Sequence, residues 1–90
     1  MQDDNLLFLP PLDGMAVRTL ETALGSSPTK TILLEINQAL YQLSREGRWF
    51  KFSLLTKKRS PKRSTLFATI TEVYNQMMHG HSWRIADYAI

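Results

Sequence analysis

Two polar residues four positions apart, Asn37 and Tyr41, are the strongest candidates for a binding site in this sequence. An amide can donate hydrogen bonds to phosphate oxygens, and a phenol ring can pack against a base or a sugar. A spacing of four residues would place both on one face of a helix. An asparagine adds little helix propensity and is costly if buried without a partner, which favours an exposed contact role. Tyr41 also fits a buried tyrosine with one hydrogen-bond partner.

A cluster of cations is the second candidate for binding. It contains Lys57, Lys58, Arg59, Lys62 and Arg63, and no acidic residue interrupts it. The whole chain has a net charge of +3 and a pI near 9.5, so the cluster holds much of the excess positive charge. It favours contact with a phosphate backbone, to which Lys30 would add. A solvated loop that only keeps the protein soluble is an equally good interpretation.

A helix over residues 29–47 is predicted to position Asn37 and Tyr41. Pro28 suits its first turn, and Gly47 suits its end. Apolar residues recur inside it at spacings of three and four, which predicts a stripe facing a core. They are Ile32, Leu33, Ile36, Leu40 and Leu43. A shorter helix over 15–24, with Asp13 as its cap and Gly25 beyond its end, is predicted before it. Two helices joined by a short turn have the outline of a helix-turn-helix.

After Gly47 the pattern changes to the alternation of a strand. Residues 48–55 are rich in aromatics, and 65–70 can return as a second strand, so the cations would lie at the tip of a hairpin. A helix over 71–79 follows, although residues 66–78 also fit one continuous helical stripe. The prediction is a single α+β domain over 1–90 with a winged helix-turn-helix fold. It has an extended arm over 1–14, two helices, a β-hairpin wing, and a C-terminal helix and tail over 71–90.

The string E-I-N-x-x-L-Y-x-L-x-x-x-G, from Glu35 to Gly47, is followed by Trp49-Phe50-Lys51. It resembles the recognition helix of the Zα family, winged-helix domains that bind DNA and RNA in the left-handed Z conformation. The resemblance implies that Asn37 and Tyr41 contact the phosphate backbone and a guanine in the syn conformation.

The resemblance extends to the wing, with departures. Pro61 and Phe67 stand in the order of the family's wing proline and aromatic residue. The family usually has a lysine where this chain has Leu33, and a basic residue where it has Gln38. These differences move much of the expected charge from the helix to the wing.

Other classes of protein fit less well. The chain has no cysteine, so disulfides and thiolate metal sites are excluded. His79 and His81 offer too few ligands for a metal, and no nucleophile elbow or glycine-rich phosphate cradle is present. We therefore expect neither an enzyme nor a cofactor. The apolar runs are too short to cross a bilayer, and Asp3 and Asp4 argue against a secretory signal. An intracellular protein with no membrane partner is expected.

Three functions are compatible with these features. The leading hypothesis is recognition of left-handed Z-form DNA or RNA through the backbone and its conformation. The second is a winged helix that binds ordinary duplex DNA or structured RNA, chiefly through the cations of its wing. The third is a protein-interaction module or a homodimer, formed through an adaptable surface on the C-terminal helix around Met77 and Met78.

Overall fold

A computed structural model describes residues 12–87 of the chain. In it one five-stranded antiparallel sheet carries two helices, in an α+β fold with strand order β4-β3-β2-β1-β5. The helices are α1 (Gly14–Leu24) and α2 (Ile70–Val73), the latter continued by a π-helical turn (Tyr74–Met78). The strands are β1 (Thr31–Ile36), β2 (Ala39–Glu46), β3 (Trp49–Leu55), β4 (Pro61–Phe67) and β5 (Trp83–Asp87). Most of the predicted arm over 1–14 lies outside the described residues.

The first helix agrees with its prediction. The side chain of Asp13 accepts a hydrogen bond from the backbone N–H of Ala16 at 3.1 Å, which satisfies one of the donors left free at a helix start. Gly25 ends the helix with a φ of 67°, a conformation that favours glycine. The face between these caps is buried at Val17, Leu20 and other apolar positions, so α1 packs as an amphipathic helix.

The predicted helix over 29–47 is wrong, and with it the helix-turn-helix and the winged-helix fold. This segment forms β1, a turn at Asn37 and Gln38, and β2. Ile32, Leu34 and Ile36 are buried in alternation with partly exposed neighbours, which is the period of a strand. The spacings of three and four that suggested a helix mix residues from both faces of the sheet.

The β1–β2 turn accounts for the presence of Asn37, a residue type with low helix propensity. Asn37 and Gln38 have φ values of 50° and 72°, and Ile36 pairs with Ala39 across them. Positive φ at both central residues is the pattern of a type I′ turn, whose twist matches that of the flanking strands. Asparagine tolerates this conformation better than most residues. Gly47, predicted to end a helix, instead occupies the two-residue turn between β2 and β3 with a φ of 64°.

The hairpin after Gly47 is present, with different boundaries from those predicted. β3 and β4 pair from Phe50–Phe67 to Leu55–Pro61, so β4 begins at Pro61 rather than at residue 65. The register shifts between Leu54 and Leu55. The loop over 56–60 is closed by a hydrogen bond from the backbone N–H of Thr56 to the oxygen of Ser60, at 2.8 Å.

The helix predicted over 71–79 corresponds to Ile70–Met78, but it does not end the fold. Thr69 caps it by accepting from the N–H of Glu72 at 3.1 Å. The chain then returns as β5, which pairs with β1 and forms the second edge of the sheet. Met78 is fully buried and Met77 is partly buried against the core. Met78 therefore fills the core and is not accessible for the predicted dimer contact.

The core lies between the helices and one face of the sheet. Its buried side chains come from both helices and from β1 to β4, and Trp83 and Ile85 of β5 pack against it partly buried. The most buried side chains are Leu20, Leu24, Ile32, Leu34, Leu43, Val73 and Met78. Within residues 12–87, no helix packs on the opposite face, where Trp49 and Leu66 are exposed. We call this uncovered surface the open face.

Replacing Gln38 with glycine should stabilise the protein, because a non-glycine residue in the left-handed region costs about 1–2 kcal/mol. Allowing for the greater freedom of glycine in the unfolded chain, we expect a gain of roughly 0.5–1 kcal/mol in the free energy of unfolding. Urea denaturation of Gln38→Gly and of the wild type measures it. A loss of about 1 kcal/mol would instead indicate a helix interior and would contradict the turn.

The pKa of Tyr74 leads to a prediction about alkaline stability. Burial raises this pKa above its ordinary value of 10.0, and the nearby Asp13 carboxylate raises it further. The folded state therefore holds the phenol proton to a higher pH than the unfolded state does. This contribution to stability is complete below pH 10 and is lost as the pH rises from there towards the folded pKa.

As the pH rises from about 8 to about 11, the free energy of unfolding should therefore fall less for Tyr74→Phe than for the wild type. Denaturant unfolding of both proteins across this range tests the prediction. Equal losses in the two proteins would show that Tyr74 does not contribute to the alkaline dependence.

Candidate nucleic-acid interface

The topology brings three connecting segments to one end of the sheet. β1 and β3 run in the same direction because each is antiparallel to β2, so the β1–β2 turn and the β3–β4 loop leave the same end. Neighbouring strands are about 4.8 Å apart, which puts the turn and the loop on the order of 10 Å from each other across the sheet. Residues 79–82 also reach this end, since Trp83 begins β5 opposite Ile36. We call it the turn end.

Asn37 is exposed at the turn end and held in place from the adjacent segment. Its backbone N–H donates to the carbonyl oxygen of Ser82 at 2.9 Å. Its side-chain Nδ2 lies 2.9 Å from Nδ1 of His81. Since an amide nitrogen can only donate, Nδ1 of His81 accepts in this arrangement. Asn37 is therefore a positioned amide with one of its two N–H groups already engaged.

A cleft of about 400 Å³ opens beside this amide. Its walls combine amides, a hydroxyl, an indole and an ion pair, from Glu35, Asn37, Gln38, Ser82, Trp83 and Arg84. Arg84 Nε and Glu35 Oε1 are 2.6 Å apart, so the charge of Arg84 is already neutralised. The cleft offers hydrogen-bonding groups but little net positive charge.

The cations of residues 57–63 surround the neighbouring loop, and we call this segment the basic tip. All five are exposed, as is Pro61 at the start of β4. The ion pair between Arg84 and Glu35 is the one salt bridge found in the described part of the chain, so no described carboxylate neutralises the basic tip. Arg59, with a φ of 64°, turns the loop tightly, and its N–H donates to Thr56 at 2.8 Å. The tip is thus a concentrated, unneutralised positive charge at the edge of the sheet.

Tyr41 faces the helix-covered side of the sheet, away from Asn37. Its ring stacks on Phe52 at a centroid distance of 4.9 Å and an interplanar angle of 19°. A small pocket of about 100 Å³ joins Tyr41 to Arg63 and Thr65 of the edge strand, with Met77 as a further wall. Tyr41 and Arg63 therefore line the same pocket, but Asn37 and Tyr41 do not share a face as the predicted helix required.

Phe67 and Lys30 lie apart from the other predicted site residues. Phe67 is 6% exposed and meets Phe52 edge-on with a centroid distance of 6.4 Å, so it is a core residue. Lys30 is exposed just before β1, at the end of the sheet opposite the turn end. It lines a shallow groove of about 420 Å³ with Met15, Arg18 and other residues of α1. The turn end thus gathers Asn37, Gln38, Lys57, Lys58, Pro61 and Lys62, with Arg63 next to it.

Trp49, Lys51 and Leu66 on the open face were not predicted as candidates. Trp49 is 45% exposed and Leu66 is 50% exposed, and Lys51 pairs directly with Leu66 across β3 and β4. A signal for them was present in the alternation of residues 48–55. If Phe50, Phe52 and Leu54 face the core, Trp49 and Lys51 must point to the other side.

The described residues contain no group of three or more His, Asp or Glu side chains that could hold a metal ion. Within the same part of the chain, no helix is long and apolar enough to cross a membrane. Comparison of this chain with protein-family models, with curated proteins and with solved structures found no match to any of them.

Proposed function

We propose that this protein binds nucleic acid through the phosphate backbone, with the basic tip as the main contact. The observation that carries the proposal is the tip itself: five exposed cations, three on a tight hairpin loop and two at the start of β4, with no described carboxylate in a salt bridge to them. A compact cationic projection of this kind attracts a polyanion and releases its condensed counterions on binding. Contacts to phosphates position a protein on a nucleic acid without reading its sequence.

The adjacent turn adds neutral donors to this electrostatic contact. Asn37 and Gln38 are exposed about 10 Å from the loop, a distance that one backbone can span in a few nucleotides. The amide of Asn37 retains one N–H group beyond the one directed at His81. A phosphate oxygen can accept from it while neighbouring phosphates contact the tip.

The proposal concerns binding by a hairpin and a turn, and a recognition helix has no part in it. Selectivity for the left-handed Z conformation stays a prediction from the resemblance to the Zα family. A circular dichroism titration of an alternating CG duplex tests that selectivity separately, by whether the protein drives the duplex towards the left-handed form.

Charge reversal in the basic tip should weaken binding strongly. We expect Lys57→Glu/Lys58→Glu to reduce the affinity for both duplex and single-stranded probes by more than tenfold at about 0.1 M salt, and to flatten the dependence of log K on log salt. Fluorescence anisotropy with labelled oligonucleotides at several salt concentrations measures both effects.

A matched control is available on the other side of the molecule. Arg18→Glu/Lys30→Glu changes the net charge by the same amount at exposed positions on α1 and before β1. If the tip is the contact, this control should keep most of the wild-type affinity and its salt slope. Equal losses in the two variants would mean that only the net charge matters. No binding by the wild type at low salt would refute the proposal.

A further inference from the structure

The open face adjoins the basic tip along β3 and β4, and Lys51 adds one cation to it. β4 leads directly from the tip to Ser64 and Leu66, which share the open face with Ser53 and Lys51 of β3. The hydroxyls of Ser53 and Ser64 are joined by a hydrogen bond of 2.8 Å, and Ser53 is itself buried at 4% exposure. Trp49 stands at the far end of the same row. A path along β3 and β4 therefore links the cations to an exposed indole.

The dimensions of this path suit a short nucleic-acid strand. Seven residue steps separate Trp49 from Thr56, which is about 23 Å at about 3.3 Å per residue. Lys51 lies on the path between Trp49 and the tip, two residues from Trp49, and can meet a phosphate there. Known single-strand sites span roughly 4–16 nucleotides for a domain of similar size.

The chemistry of the open face favours a single strand over other occupants. Trp49, 45% exposed, offers a flat aromatic surface on which a base can stack, and only an unpaired strand presents the faces of its bases. A second copy of this chain would carry the same basic tip and the same net charge of +3, so like charge opposes its approach to this face. Polar residues such as Gln42 and Ser44 interrupt the apolar side chains, which disfavours an obligate protein partner.

We infer that single-stranded nucleic acid is the preferred ligand, lying along β3 and β4 with its backbone on the basic tip and Lys51 and a base stacked on Trp49. This inference rests on the proposed function and adds the class of ligand and the residue that contacts a base. Glu46 pairs with Trp49 across β2 and β3 and is exposed beside the stacking position.

The fluorescence of Trp49 provides a direct test. The chain has two tryptophans, Trp49 and Trp83, so Trp83→Phe leaves Trp49 as the sole indole. We expect a single strand of about 12 nucleotides to quench or shift its emission, and the matched duplex to do so much less. In the reciprocal variant, Trp49→Phe, Trp83 is the sole indole, and the change in its emission measures what binding at the cleft beside Asn37 contributes.

Affinity measurements separate this inference from the proposed function. Trp49→Ala should reduce affinity for the single strand by about 5- to 150-fold and leave duplex affinity nearly unchanged, whereas Trp49→Phe should retain most of the single-strand affinity. Thermal melting checks that each variant is folded. The inference fails, and the proposed function stands, if the single strand binds without changing the emission of Trp49 and if Trp49→Ala binds it with the affinity of the wild type. If neither probe binds, both fail.

Discussion

The fold depends on the alternating burial of Ile32, Leu34 and Ile36 in β1. These side chains lie beneath the helices, with Ile32 and Leu34 fully buried, while the backbone of β1 is hydrogen-bonded to β2 on one side and β5 on the other. Burial of each such side chain contributes about 1.5–3 kcal/mol relative to exposure. A one-residue slip would move the whole row to the open face, so this strand sets the register for its neighbours.

The same constraint determines where charge can lie. With both helices on one face, and β1, β2 and β3 inside the sheet, the remaining places for a run of cations are the open face, the loops and the edge strands. β4 is an edge strand, and Pro61, Lys62 and Arg63 discourage its pairing with another sheet edge. Edge protection accounts for charge on β4 itself. Edge protection does not account for Lys57 and Lys58, because they lie in the loop and not on β4.

Much of the local structure could be predicted from the sequence. The caps Asp13 and Gly25 bracket α1, the alternation after Gly47 indicates β3, and the stripe around Val73 indicates the helix before β5. The segment 29–47 could not be resolved in the same way. Its apolar residues recur every three to four residues when both faces of the sheet are counted together, and every two residues along each strand. Whether the segment forms a helix or strands depends on pairing with β5, which is about fifty residues distant. Local periodicity contains no information about such a partner.

The cations of the candidate site could be predicted from the sequence, but the positions of Asn37 and Tyr41 could not. The reason is again that local periodicity does not reveal how the strands pair. The cations of the tip are visible as a run in the sequence, and they are exposed wherever a hairpin places them. The relative position of Asn37 and Tyr41, in contrast, depends on the backbone. On a helix, two residues four positions apart would share a face. With the type I′ turn, Asn37 lies at the end of the sheet and Tyr41 on its helix-covered side. The site implied by the resemblance to the Zα family has both on one surface. What the sheet offers is a charged loop, a fixed amide and a distant indole, an arrangement better suited to following a backbone than to measuring its twist.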